Sequence, residues 1–342
     1  MARRANEKNT SSLISELLEP INKILAKRKD AEDFFVNRPF QAIIDGYEKG
    51  ITYYEAPELN LEYFKNMGVV LGKKLNFDFL ATPSLRCILP EGHRLQLNYG
   101  DSIESQIALS IRISSNRRFN LEDFSIDEEL KKKLIQTIIK KKAILIVGST
   151  GSGKTQLLNA LIKYIPEEER VLSNEDAYEI DFSHLKNYVK TTSNPLMATA
   201  EKGLLSTQTL IDDFGRHRPD RLTMGELNSV NSVFMLQLLN SGHGGVITTI
   251  HADSVDRGIE KLVQNIMSVN KQTPEFILGS LKEGLGAIIF VTRDPRTYKR
   301  QVSQTLFDEQ IKQYELPMSN SLNIKLVHRV LHKIDTLLDR NG

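Results

Sequence analysis

The sequence predicts an α/β protein of two domains, a mainly parallel sheet covered by helices preceded by a smaller α+β domain. Three observations predict it. The chain has 342 residues, and about 100–200 per domain is usual. From residue 129 onward, short apolar runs alternate with helical segments, the pattern of a parallel sheet with crossover helices. Before that, several alternating strands surround one long helical stretch, with no such crossover rhythm. The assigned limits are residues 1–113 for the first domain, 114–128 for a linker and 129–342 for the second, with an amphipathic tail over 317–342.

Composition narrows the classes. Apolar residues make up 40% of the chain and charged residues 26%, an ordinary mixture able to bury a core. Lys+Arg number 45 against Asp+Glu 43, a net charge of +2, which argues against a protein that coats nucleic acid. The apolar runs are about five residues long, whereas a membrane helix needs about 20, so no integral membrane segment is expected. The start, MARRANEKNTSS, has no apolar stretch of the signal-peptide kind, and a cytoplasmic location is expected. One cysteine, Cys87, excludes an internal disulfide and a multi-cysteine zinc site.

Element by element, Leu13, Ile14, Leu17, Leu18, Ile21, Ile24 and Leu25 have helical spacing, with Pro20 either kinking the helix or opening a second one. This helix packs on its own domain, or lies on a membrane surface through Lys23, Lys27, Arg28 and Lys29. Residues 36–44 and 51–54 read as strands and 61–75 as a helix, and two strands flank Pro90-Glu91-Gly92-His93. In residues 107–113, Ile107, Leu109, Ile111 and Ile113 share one face, which turns Arg112 to the other. A helix is expected to start at Ser125 with Glu128 completing a capping box. Strands are then expected at 143–147, 170–173, 221–224, 246–250 and 287–291.

The strongest local signal is Gly148-Ser149-Thr150-Gly151-Ser152-Gly153-Lys154-Thr155, a full match to G-x-x-x-x-G-K-S/T. Average composition produces this pattern by chance in about one chain in a hundred of this length. An apolar strand runs in and a helix runs out, as the phosphate-binding loop requires. Its glycines let backbone N–H groups face phosphates, Lys154 reaches the β- and γ-phosphates, and the Thr155 hydroxyl meets Mg²⁺. The octet therefore predicts a nucleoside triphosphate site. Three more strand ends carry groups suited to hydrolysis: Asn174-Glu175-Asp176, Gly225-Glu226 and His251. Each alone also suits a cap or a surface group.

With those segments on the page, the chain resembles the hexameric secretion and traffic ATPases, within them the type IV secretion branch. The resemblance spans residues 20–300 and rests on four segments. These are the octet 148–155; Val171-Leu172-Ser173-Asn174-Glu175-Asp176, similar to an acidic box; residues 216–227, similar to an atypical Walker B segment; and residues 241–252, similar to a histidine box. Val36-Asn37-Arg38-Pro39, Arg94-Leu95-Gln96 and Ser110-Ile111-Arg112-Ile113-Ser114 also resemble this branch. The resemblance implies a RecA-like ATPase domain that binds ATP with Mg²⁺, in a homohexamer at the cytoplasmic face of a bacterial inner membrane. Implied partners are inner-membrane channel proteins and companion ATPases, with a cargo protein or protein–DNA complex handled indirectly.

Carried over by motif, Glu175 would polarise the attacking water, Glu226 would hold Mg²⁺ or its water shell, and His251 would sense the γ-phosphate. His243 would stiffen the sheet end. Gln156 completes the loop, and Arg94 and Arg112 would cross the domain interface to the phosphates, or else remain solvated surface cations. Arg216 and Arg218 are candidates for phosphate contact within or between subunits, and equally for ion pairs with Asp212, Asp213 or Asp220. Asn228 and Asn231 stand where the branch usually has arginine and glutamate, so an amide pair on one helix face is expected. Gln156 and Ala177 replace frequent threonines.

The tail carries Ile324, Val327, Val330, Leu331, Ile334, Leu337 and Leu338 opposite a basic face, suited to packing on its own domain, a neighbouring subunit or a membrane partner. A motor that energises type IV secretion is the leading reading. A pilus-type motor, a nucleic-acid translocase and a non-hydrolysing scaffold are the alternatives. Zero Trp and near-zero net charge count against the translocase.

Overall fold

A computed structural model describes residues 2–114, 118–192, 206–240 and 244–315 of the protein. The tail 317–342, His243 and linker residues 115–117 lie outside the described residues.

The chain opens with α1 (Ala2–Leu25), which runs on through Pro20. The stripe Ile14, Leu18, Ile21 and Ile24 is buried on both sides of the proline, and this packing outweighs one lost backbone bond. Of the expected basic cluster, Arg28 is turned inward. Its guanidinium donates to both oxygens of Asp30, at 2.5 and 2.6 Å, and to the Gly50 carbonyl at 3.2 Å.

The expected single strand over 36–44 is instead a hairpin. β1 (Ala31–Val36) and β2 (Gln41–Gly46) pair antiparallel across a turn in which Phe40 takes φ 65°. Pro39 has no N–H for a ladder, so the strand breaks there. β3 (Gly50–Glu55), α2 (Leu61–Lys74), β4 (Ser84–Ile88), β5 (Arg94–Tyr99) and β6 (Ile107–Arg112) complete the domain. Its antiparallel sheet has the order β3-β2-β1-β6-β5-β4. Phe34, Leu97 and Leu109 pack with Ile14, Leu18, Phe64 and Met67 on the helix side. On the other face, Asp33, Arg112 and Arg94 stand opposite one another across three adjacent strands. That polar row is what the first domain turns toward the second.

Within the expected linker lies a one-turn 3-10 helix, Leu121–Phe124, which ends at Ser125 in a left-handed conformation. The helix expected from Ser125 therefore starts later: α3 (Glu128–Ile139) is capped by Asp127, whose side chain accepts from the Leu130 N–H at 2.8 Å. Asp127 is the better N-cap because the turn before it consumes Ser125.

There follow β7 (Ala143–Gly148), α4 (Lys154–Ile162), β8 (Arg170–Asn174), β9 (Asn187–Thr191), α5 (Thr207–Phe214), β10 (Arg221–Met224) and α6 (Ser229–Asn240). The chain continues through β11 (Ile247–His251), α7 (Val255–Met267), α8 (Pro274–Gly284), β12 (Leu285–Arg293), β13 (Arg300–Phe307) and α9 (Asp308–Gln313). The sheet order is β13-β12-β7-β11-β10-β8-β9, parallel except for the β12–β13 hairpin at its edge. The two edge strands were not anticipated; β9 is largely exposed and lacks the apolar run that marks its neighbours.

Helices cover both faces. Leu145 and Val147 join the cluster under α6, α7 and α8, while Ile144 and Ile146 join the one under α3 and α4. Because the strands are parallel, the ends of β7, β8, β10 and β11 gather on one side, facing the polar row of the first domain.

Candidate nucleotide site

β7 is buried along its whole length and delivers the loop 148–155 to that side. Gly151 has φ +74° with nothing within 4 Å of where a Cβ would sit, so the loop backbone is open to an approaching ligand. Gly153, φ +100°, caps α4 without a side-chain bond, leaving the helix N-terminus facing the cleft. Thr150, Gly151, Gly153, Lys154, Thr155 and Gln156 line a cleft of ≈ 770 Å³ between the domains. Gly148, Ser149 and Ser152 do not line it. They support the loop from behind, and a Cβ on Gly148 would lie 2.7 Å from the Val291 carbonyl oxygen.

Lys154 Nζ donates to the Ser149 carbonyl at 3.0 Å. Burial depresses its pKa, Glu226 opposes that shift, and the Lys261 and Arg112 charges reinforce it. A partly buried ammonium with cationic neighbours gains from an anion placed beside it.

Glu175, Glu226 and His251 all line the same cleft. Their surroundings differ. Glu175 is buried, and its Oε1 accepts from the Ser173 hydroxyl at 2.9 Å. Its Oε2 accepts from the backbone N–H groups of Glu179 at 2.8 Å and Ile180 at 2.7 Å. Lys190 Nζ stands 3.7 Å from Oε1. Burial raises the Glu175 pKa, and Lys190 and these hydrogen bonds pull against it. Glu226 is exposed to the cleft. His251 Nδ1 lies 3.3 Å from the Gly148 carbonyl, and Lys261 Nζ donates to the His251 carbonyl at 3.0 Å.

The expected Asn228–Asn231 amide pair takes another form. Each side chain bonds backbone: Asn231 Oδ1 accepts from the Asn228 N–H at 2.6 Å, and Asn228 Oδ1 accepts from the Asn231 N–H at 3.1 Å. Asn231 Nδ2 also donates to the Glu226 carbonyl at 2.8 Å. The pair is a reciprocal cap on α6 that holds the Glu226 backbone.

The first domain contributes Arg94 and Arg112 to the cleft. Arg112 grips Asp33 of its own sheet through two bonds, 2.7 and 3.1 Å. Arg94 instead crosses the cleft to the Glu179 carboxylate. Arg216 and Arg218 are not brought there. Both are exposed, neither lines the cleft, and Arg216 pairs with Asp213 at 2.9 Å. Within one chain, then, Arg216 is held by an ion pair on its own helix turn.

Two arginines outside the motifs also join the domains. Arg300 on β13 packs its stem against Gly153, stacks 5.3 Å over the Phe119 ring and pairs with Glu32 of β1. Arg293, opposite Arg300 in the hairpin, approaches Glu32 at 3.6 Å and Asp45 at 3.7 Å, and donates to the Gly46 carbonyl at 2.8 Å. No short motif marks such residues, since their partners are distant in sequence.

The donor set suits a triphosphate with its metal. Among the described residues no group of three or more Asp, Glu, His or Cys is placed to hold a metal ion. One hydroxyl and one exposed carboxylate, Thr155 and Glu226, share the cleft with the open loop glycine. Mg²⁺ needs no more from a protein when phosphate oxygens and water fill its remaining positions.

Residues 95–314 match the family described as "Type II/IV secretion system protein". The type IV secretion system protein VirB11 of Bartonella henselae is 30% identical over 295 residues, covering 74% of this chain and 81% of that one. Its counterpart in Bartonella quintana is 31% identical over 296 residues, with the same coverage. Among solved structures, the ATPase DotB of Legionella pneumophila superposes with a TM-score of 0.63 at 16% identity, covering 88% of this chain and 82% of that one. The pilus retraction motor PilT with bound ADP gives 0.63 at 17% identity, covering 93% and 89%. At these identities the structural likenesses speak for the fold.

Proposed function

Because this chain belongs to the type II/IV secretion system protein family, we propose that it is the ATPase motor of a type IV secretion system. One observation carries the reading: the phosphate-binding loop faces two arginines of the other domain across a single cleft. A ligand held there touches both domains, so its hydrolysis changes the force between them.

In this reading Lys154 and the loop N–H groups hold the β- and γ-phosphates. Thr155 and Glu226 hold Mg²⁺, which when bound neutralises charge on the phosphate oxygens. Arg94 and Arg112 meet the charge that develops as the terminal phosphate departs. Glu175 orients and polarises the attacking water, and His251 reports on the γ-phosphate through the Gly148 carbonyl beside it. Glu175 must first leave its present hydrogen bonds, because both its oxygens are engaged.

The working form is a homohexamer, closed by repeated head-to-tail contacts, peripheral to the inner membrane and docked to channel proteins. No helix among the described residues is long and apolar enough to cross a membrane. The deciding experiment measures the mass of the purified protein by light scattering, with and without ATP and Mg²⁺, while phosphate release is followed. A six-fold mass with slow Mg²⁺-dependent hydrolysis is expected. A monomer that binds ATP without releasing phosphate would overturn the motor reading.

A further inference from the structure

Four arginines line the cleft, and each is paired with a carboxylate: Arg112 with Asp33, Arg300 with Glu32, Arg94 with Glu179, and Arg118, on the segment between the two sheets, with Asp181. The pairs are not equivalent. Arg112 and Asp33 belong to one sheet, so that pair constrains nothing across the cleft. Glu32 and Arg300 do cross it, but they are less exposed, at 16% and 4% of the side chain, and Arg293 shares the same carboxylate. Arg94 and Glu179 also cross, at 38% and 37% exposure, with no second cation on Glu179 within ion-pair distance among the described residues. Of the ion pairs between the two sheets among the described residues, Arg94–Glu179 is the most exposed.

Glu179 has a second connection. Its own backbone N–H donates to Glu175 Oε2 at 2.8 Å, and the next N–H, of Ile180, donates to the same oxygen at 2.7 Å. The Glu179 carbonyl accepts from Asn159 on α4, the helix that begins at Lys154, at 2.9 Å. The residue that engages Arg94 with its side chain therefore restrains Glu175 with its backbone.

We propose that Glu179 is a positioning residue that competes with nucleotide phosphate for Arg94, so that arrival of a triphosphate frees both Arg94 and the Glu175 loop. A triphosphate carries several negative charges against one on Glu179, and the Arg94 guanidinium moves toward the greater charge. Losing that anchor, the 176–180 loop relaxes its two N–H bonds to Glu175. The carboxylate reaches water only once substrate is present, which limits idle turnover. The inference rests on the reading of Arg94 as a phosphate cation.

The test uses the full-length protein with Mg²⁺ and a non-hydrolysable ATP analogue. Glu179→Gln removes the competing charge and should tighten analogue binding about two- to fivefold, the scale of a half-exposed ion pair. In an Arg94→Ala background the same change should have no effect. Glu179→Ala is measured alongside, because glutamine retains a hydrogen-bonding group; it should tighten binding to a similar degree. Amide exchange at residues 176–180 supplies a readout that a structural role would not move. It should rise on adding the analogue to wild type, and be already raised in Glu179→Gln without it.

Arg94→Ala weakening binding, with both Glu179 variants binding as wild type, would overturn the proposal and leave the reading of Arg94 intact. Binding unchanged in Arg94→Ala would remove that reading and the proposal together.

Discussion

Lys154 and Glu226 share the cleft, and the Glu226 carboxylate partly offsets the cost of burying the Lys154 charge. Lys154→Ala should abolish turnover by removing the cation nearest the transferred phosphoryl group. Glu226→Gln should abolish turnover yet keep nucleotide binding, measured by phosphate release and by titration with an ATP analogue. Wild-type turnover in that variant would take Glu226 out of the site. Burial raises the Glu175 pKa from its ordinary value, so the acid limb of the turnover profile should be shifted upward in the same direction. Lys190 opposes the shift. Lys190→Met should therefore move the limb to still higher pH, with a greater loss of activity on the acid limb than on the plateau. A limb that stays in place would show that another group sets it. Asn228→Ala removes the acceptor that caps the Val230 and Asn231 N–H groups, at 3.0 and 3.1 Å. It should cost about 1 kcal/mol of stability in a denaturant titration.

At the scale of elements, the β2–β3 hairpin is pinned to the end of α1 by Asp30. Its carboxylate accepts from Arg28 and from the Glu48 and Lys49 N–H groups, both at 3.2 Å. These bonds hold the Asp30 pKa at about 2, below its ordinary 3.8. A depressed carboxylate stabilises the fold above its unfolded pKa and loses that contribution as pH falls through the folded value. The first domain should thus lose about 2 kcal/mol between roughly pH 4 and pH 2, and Asp30→Asn should remove that dependence from an acid titration. The parts of the site carried by single elements were legible in the sequence. The loop 148–155 is eight consecutive residues, and Glu175, Glu226 and His251 each follow a recognisable apolar strand. Arg112 was legible because alternation along β6 turned it away from the core. The Asn228 and Asn231 side chains were misread for a physical reason. Spacing brings two side chains together, but short amides at a helix start bond backbone first.

For the whole molecule, legibility falls with the distance between partners. Glu32 and Arg300 meet across 268 positions, and nothing local to either marks them. The β12–β13 hairpin that carries Arg300 also flanks β7, so the first domain is attached to the strand that delivers Lys154. Glu32→Ala would remove the carboxylate that Arg300 and Arg293 share, while Arg293 keeps Asp45 at 3.7 Å. It should lower stability by about 1.5–3 kcal/mol, read as a fall in Tm; a Tm within a degree of wild type would show that the hairpin does not hold the domains. The unequal burial of the two bridges across the cleft has one more consequence. Dissolved ions screen exposed charges well and buried ones poorly, over about 8 Å at physiological ionic strength. Added salt should therefore loosen the Arg94 side of the cleft while the Glu32 side stays closed. Ionic strength then acts as a dial on the opening of the cleft, and the protein swings on a fixed edge without coming apart.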